Sequence, residues 1–412
     1  MIDRHIEKVI ESARKHFPVV IVTGPRQVGK STLLRNVYES KGYSYVSLDD
    51  VANRALAVND PKTFFSMYSS PLIIDEAQKA PELFPELERI VNEARIQKGN
   101  KESSGMYILT GSTRHTLLEN AEESLVGRCS IISMWPLSLS EILNRSNQPL
   151  FSNIQSVNQR SKDSNIKFDE FFDYIIRGFL PLLYDDPAMD ISMFYSAYVS
   201  TYLEKDLKEI LKVKNELKFI NFMKLLASNI GQELMYENYA RDIRVDKNTI
   251  KSWVSALAKT GIIYLVQPYN ERSIKKRIVK RPKMYFFDTG LAAYLVGIDS
   301  SKTMIHSYMK GRFFENAAMN EIVKSFVNAG INQSIYYYRD SNNNEVDLVY
   351  VQEGKLHLVE MKAGTSFNLG DISGFKQLEQ TSWKKGENAI VCTTELLSAL
   401  EDNTFILPIT SI

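Results

Sequence analysis

The segment Gly24–Ser31 constrains the fold of this 412-residue chain more than any other part of its sequence. It reads Gly-Pro-Arg-Gln-Val-Gly-Lys-Ser and fits the phosphate-loop pattern G-x-x-x-x-G-K-[ST] at every fixed position. The apolar run Val19–Val22 precedes it, and Thr32–Tyr38 can open a helix. The alternative is an ordinary glycine turn that is followed by a lysine by chance. An apolar strand before the turn and a helix after it would not be expected in that case. The segment therefore predicts a buried strand, a phosphate-binding loop and a helix N-terminus within an α/β domain.

The ligand that this loop predicts is ATP with Mg²⁺. Its glycines let successive backbone N–H groups face one anion, and the dipole of the following helix favours negative charge. Lys30 is expected to reach the β- and γ-phosphates, and Ser31 to place its hydroxyl on Mg²⁺. The predicted nucleotide-binding residues of the loop are Gly24, Pro25, Arg26, Gln27, Val28, Gly29, Lys30, Ser31 and Thr32.

Two carboxylates, Asp75 and Glu76, follow the apolar run Leu72–Ile74, and Asp75 stands 45 residues beyond Lys30. Strand ends are often acidic, but in a phosphate-loop domain such a pair has a defined chemistry. Asp75 is expected to hold Mg²⁺, mostly through water. Glu76 is expected to orient and polarise the attacking water, which implies hydrolysis rather than nucleotide binding alone.

A further strand, predicted over Met106–Leu109, should lie beside the Asp75 strand. Ser112 follows it and is the candidate for contact with the γ-phosphate, alongside Thr110 and Thr113. Ordinary polarity at a strand end is the alternative interpretation.

Arg128 precedes another apolar strand at Ile131-Ile132. It is interpreted as an arginine finger acting on the ATP of a neighbouring subunit, as a sensor in its own subunit, or as a structural surface arginine. The following segment, Pro136–Glu141, predicts a helix that begins with a Ser138–Glu141 capping box.

Strands alternate with helices up to Leu143, which predicts a doubly wound P-loop ATPase core over residues 1–143. Residues 144–167 are rich in Asn, Ser and Gln and are predicted as a loop. With the helical segment that follows, they form a predicted polar insertion and helical linker or lid over residues 144–215. Residues 216–300 predict three helices and a hairpin, which is the layout of a winged helix.

The winged-helix prediction carries a DNA-binding hypothesis. Its third helix would begin after Asp246 with Lys247 and Asn248, which suit contacts to phosphates or base edges. The hairpin connection, residues 272–283, holds seven Lys and Arg and no acid. Such a wing suits a nucleic-acid backbone. It suits equally well a solvated hairpin on a domain that contacts its own ATPase domain or another protein.

Residues 301–412 predict a helix followed by strands that carry four notable side chains. Glu315 lies on the helix, Asp347 on one strand, and Glu360 and Lys362 two residues apart, hence on one face, of the next strand. This order resembles the core of the PD-(D/E)XK nucleases and implies a restriction-endonuclease-like α/β domain. The resemblance implies that Glu315, Asp347 and Glu360 hold Mg²⁺ and that Lys362 assists the reaction at phosphorus.

Glu-x-Lys is also common on solvated strands. The alternative is therefore a domain that cuts nothing, in which the acids are ion-pair partners.

Taken together, the motifs make the chain similar to a prokaryotic AAA-type ATPase of the archaeal-ATPase-like group. The resemblance is to the subfamily whose C-terminal region of unknown function resembles restriction endonucleases, and it covers essentially the whole chain. It implies ATP binding and hydrolysis in a homo-oligomer. The segments that carry it are Gly24–Ser31, Leu72–Gln78, Leu109–Thr113, Leu125–Arg128, Pro136–Glu141, Gly178–Pro181, Tyr202–Asp206 and Phe287–Leu291.

Composition excludes other classes of protein. The formal net charge is +1, so it indicates neither nucleic acid nor an acidic partner. Two cysteines, Cys129 and Cys392, rule out a disulfide framework and a cysteine-based zinc site. The charged start and the absence of a run of 18 apolar residues predict a cytoplasmic protein without a membrane partner.

Two functions of different classes are consistent with these features. The first is an ATP-driven machine that acts on DNA, in which the ATPase controls an attached nuclease. The second is an ATP-dependent oligomeric switch or scaffold with a non-cleaving C-terminal domain. Remodelling of protein partners is a third hypothesis with less support in the sequence.

Overall fold

The computed structural model describes residues 2–111, 117, 124–151, 154–163, 166–202, 216–270, 281–378, 381–401 and 403–412. Their contacts divide the chain into two units. The first comprises Met1–Leu137 with the short segments Lys259–Gly261 and Val327–Gly330, and the second comprises the remainder.

A parallel sheet forms the centre of the first unit. Its strand order is β2-β3-β4-β1-β5, and every neighbouring pair is parallel. The strands are β1 (Val19–Thr23), β2 (Ser44–Ser47), β3 (Leu72–Asp75), β4 (Tyr107–Gly111) and β5 (Cys129–Ser133). The helices are α1 (Ile6–Arg14), α2 (Lys30–Tyr38), α3 (Val51–Asn59), α4 (Pro61–Met67) and α5 (Leu83–Glu102), with short 3₁₀ turns at Glu39–Lys41 and Ala77–Lys79.

The central position of β1 follows from its composition. All its residues are buried, as expected for an apolar strand with neighbours on both edges and helices on the faces. The prediction of a P-loop α/β domain is confirmed, and β4 does lie beside β3. The carboxyl ends of β1, β3 and β4 meet at one edge, where open α/β sheets bind their ligands.

The second unit begins with helices. They are α6 (Leu139–Ile142), α7 (Ile154–Asp163), α8 (Phe168–Arg177), α9 (Leu182–Asp185), α10 (Ile191–Tyr202), α11 (Glu216–Ser228), α12 (Tyr236–Ile243), α13 (Lys247–Lys259), α14 (Thr289–Val296), α15 (Ser301–His306) and α16 (Lys310–Val327). The predicted capping box between Ser138 and Glu141 is present at α6. The loop prediction for residues 144–167 is wrong over Ile154–Asp163, where α7 forms; its Val157 is buried and gives this polar helix an apolar inner contact.

One mixed sheet runs through the second unit in the order β13-β14-β12-β10-β9-β8-β6-β7, with β11 paired to β10. Its strands are β6 (Ile263–Pro268), β7 (Lys283–Phe286), β8 (Ile335–Arg339), β9 (Glu345–Gln352), β10 (Lys355–Lys362), β11 (Lys384–Lys385), β12 (Asn388–Cys392), β13 (Ser398–Glu401) and β14 (Thr404–Pro408), with 3₁₀ segments at Leu369–Leu378 and Ile409–Ser411.

The hairpin of the predicted winged helix belongs to this sheet. Strand β6 pairs antiparallel with β7 and parallel with β8, through Gln267–Tyr336 and Pro268–Tyr337. The sheet therefore brings β7, from the middle of the chain, to the strands that follow α16. Most of the basic wing, residues 271–280, lies outside the described residues. No helix in the described ranges is both long and apolar enough to cross a membrane.

Candidate functional site

The loop between β1 and α2 has the backbone that a phosphate cradle requires. Gly24 has φ +152° and Gly29 has φ +89°, and Gln27 also adopts a positive φ of 60°. A methyl group on Gly24 would overlap the carbonyl oxygen of Met134, so that only glycine fits there. The loop then enters the first turn of α2 at Lys30, as the sequence predicted.

Lys30 is buried, and its ammonium turns into the loop. Nζ donates to the carbonyl oxygens of Gly24 at 2.9 Å and Pro25 at 2.7 Å. Arg4 is buried as well and donates to the carbonyl oxygens of Val28 and Trp135, both at 2.7 Å. Arg4 therefore fixes the loop from outside, a role that nothing in its sequence context indicated.

Ser31 and Asp75 meet across the end of the sheet. The Ser31 hydroxyl donates to Asp75 Oδ1 at 3.0 Å, and the Tyr45 hydroxyl donates to Asp75 Oδ2 at 2.6 Å. Burial, with the nearby Asp75 carboxylate, raises the pKa of Tyr45, so that its phenol stays protonated and donates. A hydroxyl and a carboxylate placed side by side provide oxygen ligands of the kind that a hard cation such as Mg²⁺ prefers.

Glu76 follows Asp75 with φ 54°, in the left-handed region that non-glycine residues seldom adopt. The carboxamide of Gln78 donates to its carboxylate. Two hydroxyls at the ends of the central strands, Thr23 Oγ1 and Thr110 Oγ1, are buried without a hydrogen-bond partner among the described residues. Because buried polar groups are normally paired, these hydroxyls are consistent with a polar ligand at this edge. The loop, Lys30, Ser31 and Asp75 together fit Mg²⁺–ATP.

The other two predicted residues of this unit have different outcomes. Ser112 lies outside the described residues. The guanidinium of Arg128 contacts α5, where it donates to Asn92 Oδ1 at 2.7 Å and pairs with Glu88 at 3.2 Å. The finger, sensor and structural interpretations of Arg128 all remain predictions.

In the second unit, the predicted carboxylates converge, but around a lysine. Lys283 Nζ lies 2.9 Å from Glu315, 2.6 Å from Glu345 and 3.3 Å from Asp347. Its side chain is only 4% exposed. Glu315 also accepts a hydrogen bond from the Tyr285 hydroxyl at 2.7 Å. We call Lys283, Glu315, Glu345 and Asp347 the Lys283 cluster.

Burial and neighbouring charges shift the pKa values of Glu315 and Lys283 in this cluster. Burial raises the pKa of Glu315 to about 7, although the neighbouring Lys283 opposes the shift. Burial also opposes the charge on Lys283, but Glu315 and the other anionic neighbours outweigh it and hold the pKa of the lysine well above its ordinary value. The ammonium is therefore the charge that allows these acids to lie together.

Glu360 and Lys362 complete the predicted set. Lys362 Nζ pairs with Glu360 Oε1 at 2.7 Å, and Glu360 Oε2 is buried without a hydrogen-bond partner among the described residues. Burial, and then the charge of Asp347, raises the pKa of Glu360 well above its ordinary value. Across the described ranges, no three His, Cys, Asp or Glu side chains are arranged to hold a metal ion.

Sequence reasoning missed Lys283 and Glu345 as members of this site. In the sequence Lys283 stands among the basic residues of the wing, whereas its partners in the structure lie on α16 and β9. The contacts depend on the pairing of β6 with β8, which no local pattern predicts. Glu345 stands two residues before Asp347, on the same face of its strand, and this spacing was the available signal.

A cleft of about 940 Å³ opens beside the cluster. Arg281, Arg312 and Arg339 line it, together with Tyr337 and several amide side chains. Tyr337 connects cleft and cluster, because its ring lies 5.6 Å from Lys283 Nζ. Two acids also line the cleft, and one of them, Glu233, lies 3.6 Å from Arg339.

Comparison with protein families supports the N-terminal assignment. Residues 16–143 match the family described as an AAA domain. Residues 168–302 and 310–412 match two domains of unknown function, DUF8612 and DUF4143. The N-terminal part is accordingly similar in sequence to AAA domains, and its parallel sheet and glycine loop are those of a P-loop α/β domain.

The chain is also similar to whole proteins. The uncharacterised proteins Mb2031c of Mycobacterium bovis and Rv2008c of Mycobacterium tuberculosis are each 26% identical over 354 residues, which cover 86% of this chain and 72% of theirs. The uncharacterised protein MJ1637 of Methanocaldococcus jannaschii is 23% identical, over 68% of this chain and 62% of its own.

Solved structures are more distant. The Walker-type ATPase PABY2304 of Pyrococcus abyssi aligns with a TM-score of 0.43 and 14% identity, over 72% of this chain and 96% of its own. DnaA of Aquifex aeolicus bound to AMPPCP aligns with a TM-score of 0.24 and 15% identity, over 62% and 86%.

Proposed function

We propose that the N-terminal unit binds Mg²⁺–ATP and hydrolyses ATP to ADP and phosphate. The observation that carries the proposal is the contact between Ser31 and Asp75 at 3.0 Å, with the Lys30 ammonium inside the adjoining loop. Two motifs that are 44 residues apart in sequence thereby present a hydroxyl, a carboxylate and a cation at one edge of the sheet.

Each residue has a role in the proposed reaction. The loop N–H groups and the N-terminus of α2 bind the phosphates. Lys30 exchanges its two loop carbonyls for phosphate oxygens. Asp75 and Ser31 hold Mg²⁺, which supplies charge neutralisation at the β- and γ-phosphates when bound. Glu76 orients the attacking water and accepts its proton.

The test is a pair of variants with different expected failures. Lys30→Ala should lose binding of a fluorescent ATP analogue together with hydrolysis. Glu76→Gln should keep binding and lose roughly 10²–10⁴-fold in turnover, the usual contribution of a general base. Hydrolysis by Glu76→Gln at the wild-type rate would contradict the role given to Glu76.

Arg128 and a homo-oligomer belong to the same proposal. If Arg128 completes the site of a neighbouring subunit, Arg128→Ala mixed with Lys30→Ala should regain part of the activity, because a mixed pair contains one intact site. Co-assembly must be measured independently by light scattering. Co-assembly without any regain would place Arg128 outside the neighbouring site.

We propose as a second function that the C-terminal part binds a DNA backbone in the arginine-lined cleft. The cleft is lined by three arginines and two acids, and one of the acids lies close to an arginine. The charge of the lining is therefore net positive, which suits phosphodiesters. Arg312→Ala with Arg339→Ala should weaken binding of labelled DNA and reduce its salt dependence. DNA affinity equal to wild type would remove the cleft from consideration.

The cleft leaves two interpretations of the Lys283 cluster. In the nuclease interpretation, Asp347, Glu360 and Lys362 cleave DNA with Mg²⁺. In the alternative, ATP drives an oligomeric switch or scaffold and the acids are ion-paired. The short contacts of Lys283 favour the alternative, because an ammonium already balances these acids.

Cleavage of labelled single- and double-stranded DNA with Mg²⁺ or Mn²⁺, with and without ATP, separates the two interpretations. We expect no cleavage by wild type. Cleavage that is lost in Asp347→Ala/Glu360→Ala and kept in Lys30→Ala would establish the nuclease instead.

A further inference from the structure

A glutamine two residues beyond the proposed general base contacts the carboxylate of that base. The Gln78 carboxamide donates through Nε2 to Glu76 Oε2. The backbone at Glu76 is already fixed by the 3₁₀ turn Ala77–Lys79, whose Lys79 N–H donates to the Glu76 carbonyl oxygen at 3.0 Å. The side-chain contact is separate from this backbone bond, and it constrains the direction of the Glu76 carboxylate.

The orientation of the Gln78 amide is imposed by Glu76. Its other atom, Oε1, is buried and has no hydrogen-bond partner among the described residues. Rotating the Gln78 amide by half a turn would place Oε1 against the Glu76 carboxylate, and two acceptors would then face each other. The observed orientation avoids this, although it leaves Oε1 unpaired. The end of β4 makes room for this arrangement, because a methyl group on Gly111 would overlap Gln78 Oε1.

We propose that Gln78 is a positioning residue for ATP hydrolysis, which aims the Glu76 carboxylate at the attacking water; this inference rests on the proposed ATPase function. A carboxylate at the end of a two-carbon stem has several rotamers. Holding it in the one rotamer that faces the attacking water increases the rate of hydrolysis by a large factor. The effect should appear in kcat, since Gln78 has no part in the loop that binds phosphates.

The variants separate a positioning role from a structural one. Gln78→Ala should lower kcat roughly 10–100-fold, as a misplaced catalytic group does, with KM and the affinity for a non-hydrolysable ATP analogue unchanged within about threefold. Gln78→Glu keeps the size but sets two carboxylates together, and should not restore the rate. Gly111→Ala should reproduce the loss of kcat by displacing the carboxamide. Gln97→Ala, an exposed glutamine of α5, is the matched control.

Coupling to Glu76 completes the experiment. In a Glu76→Gln background, Gln78→Ala should cause no further loss, because the carboxylate that it positions is gone. Analogue binding by each variant shows that the site is folded. An active wild type with Gln78→Ala at the full rate overturns the inference and leaves the ATPase intact. Additive losses in the double variant overturn it as well, and a wild type without ATPase activity overturns both.

Discussion

Replacing Lys283 with methionine tests whether one ammonium holds the C-terminal carboxylates together. The substitution keeps a long unbranched side chain and removes its charge from between Glu315, Glu345 and Asp347. Glu345 is 31% exposed and can be hydrated, whereas Glu315 and Asp347 are 12% and 9% exposed. Two nearly buried carboxylates would therefore lose their counter-charge.

The expected cost is that of a buried ion pair with one partner removed, about 3–5 kcal/mol. At roughly 2–4 °C per kcal/mol for a domain of this size, the transition of the second unit should move down by about 6–20 °C. Differential scanning calorimetry of the full chain measures this shift. Lys247→Met is the matched control, because Lys247 also lies 2.6 Å from a glutamate but on the surface.

Divalent cations provide an independent readout of the same variant. Without the ammonium, Glu315 and Asp347 are hard oxygen donors with no cation between them, so Mn²⁺ should raise the melting temperature of Lys283→Met more than that of wild type. A melting temperature within about 2 °C of wild type, with no response to Mn²⁺, would refute the counter-ion role, since a 3–5 kcal/mol loss cannot be hidden in that interval.

Three further substitutions have defined outcomes. Gly24→Ala should abolish binding of an ATP analogue, measured by fluorescence titration, because the new methyl group overlaps the Met134 carbonyl. Asp288→Asn should lower stability by about 1–3 kcal/mol in calorimetry, since its buried carboxylate accepts 2.6 Å hydrogen bonds from Tyr195 and a backbone N–H. Burial lowers the pKa of His357, so stability should be full above about pH 6.5 and fall as the pH drops below it, and His357→Phe should flatten that slope in melting curves.

The geometry of the candidate nucleotide site could be predicted from sequence because each half of it is a contiguous motif. Gly24–Ser31 carries the loop, and the run that ends in Asp75 carries a strand end. Parallel strands bring their carboxyl ends to one edge of a sheet, so the two motifs had to meet once the fold was α/β. Arg4 could not be predicted, because a single arginine near the N-terminus has no pattern that ties it to the loop it holds.

The carboxylates of the second unit could be predicted as a set, but their environment could not. Glu315 lies on a helix, and Asp347 and Glu360 lie on successive strands, in the order that the sequence predicted. Lys283 enters through β7, which belongs to the sheet only because β6 pairs with β8. Lys283 and its acidic partners are far apart in sequence, so no local periodicity links them. The basic residues around Lys283 indicated nucleic-acid binding instead.

The two interpretations of the C-terminal unit use the same acids, and so no inspection of the motif alone can choose between them. The identity of the cation that balances Asp347 and Glu315 decides the matter. In a metal-dependent nuclease that cation is a metal ion, which binds from solution and exchanges with it. Here it is covalently part of the chain, 4% exposed and within 3.3 Å of three carboxylates. A fixed internal ammonium therefore favours the proposal in which the acids are ion-paired, with Lys283 joining β7 to Glu315 of α16 and Asp347 of β9.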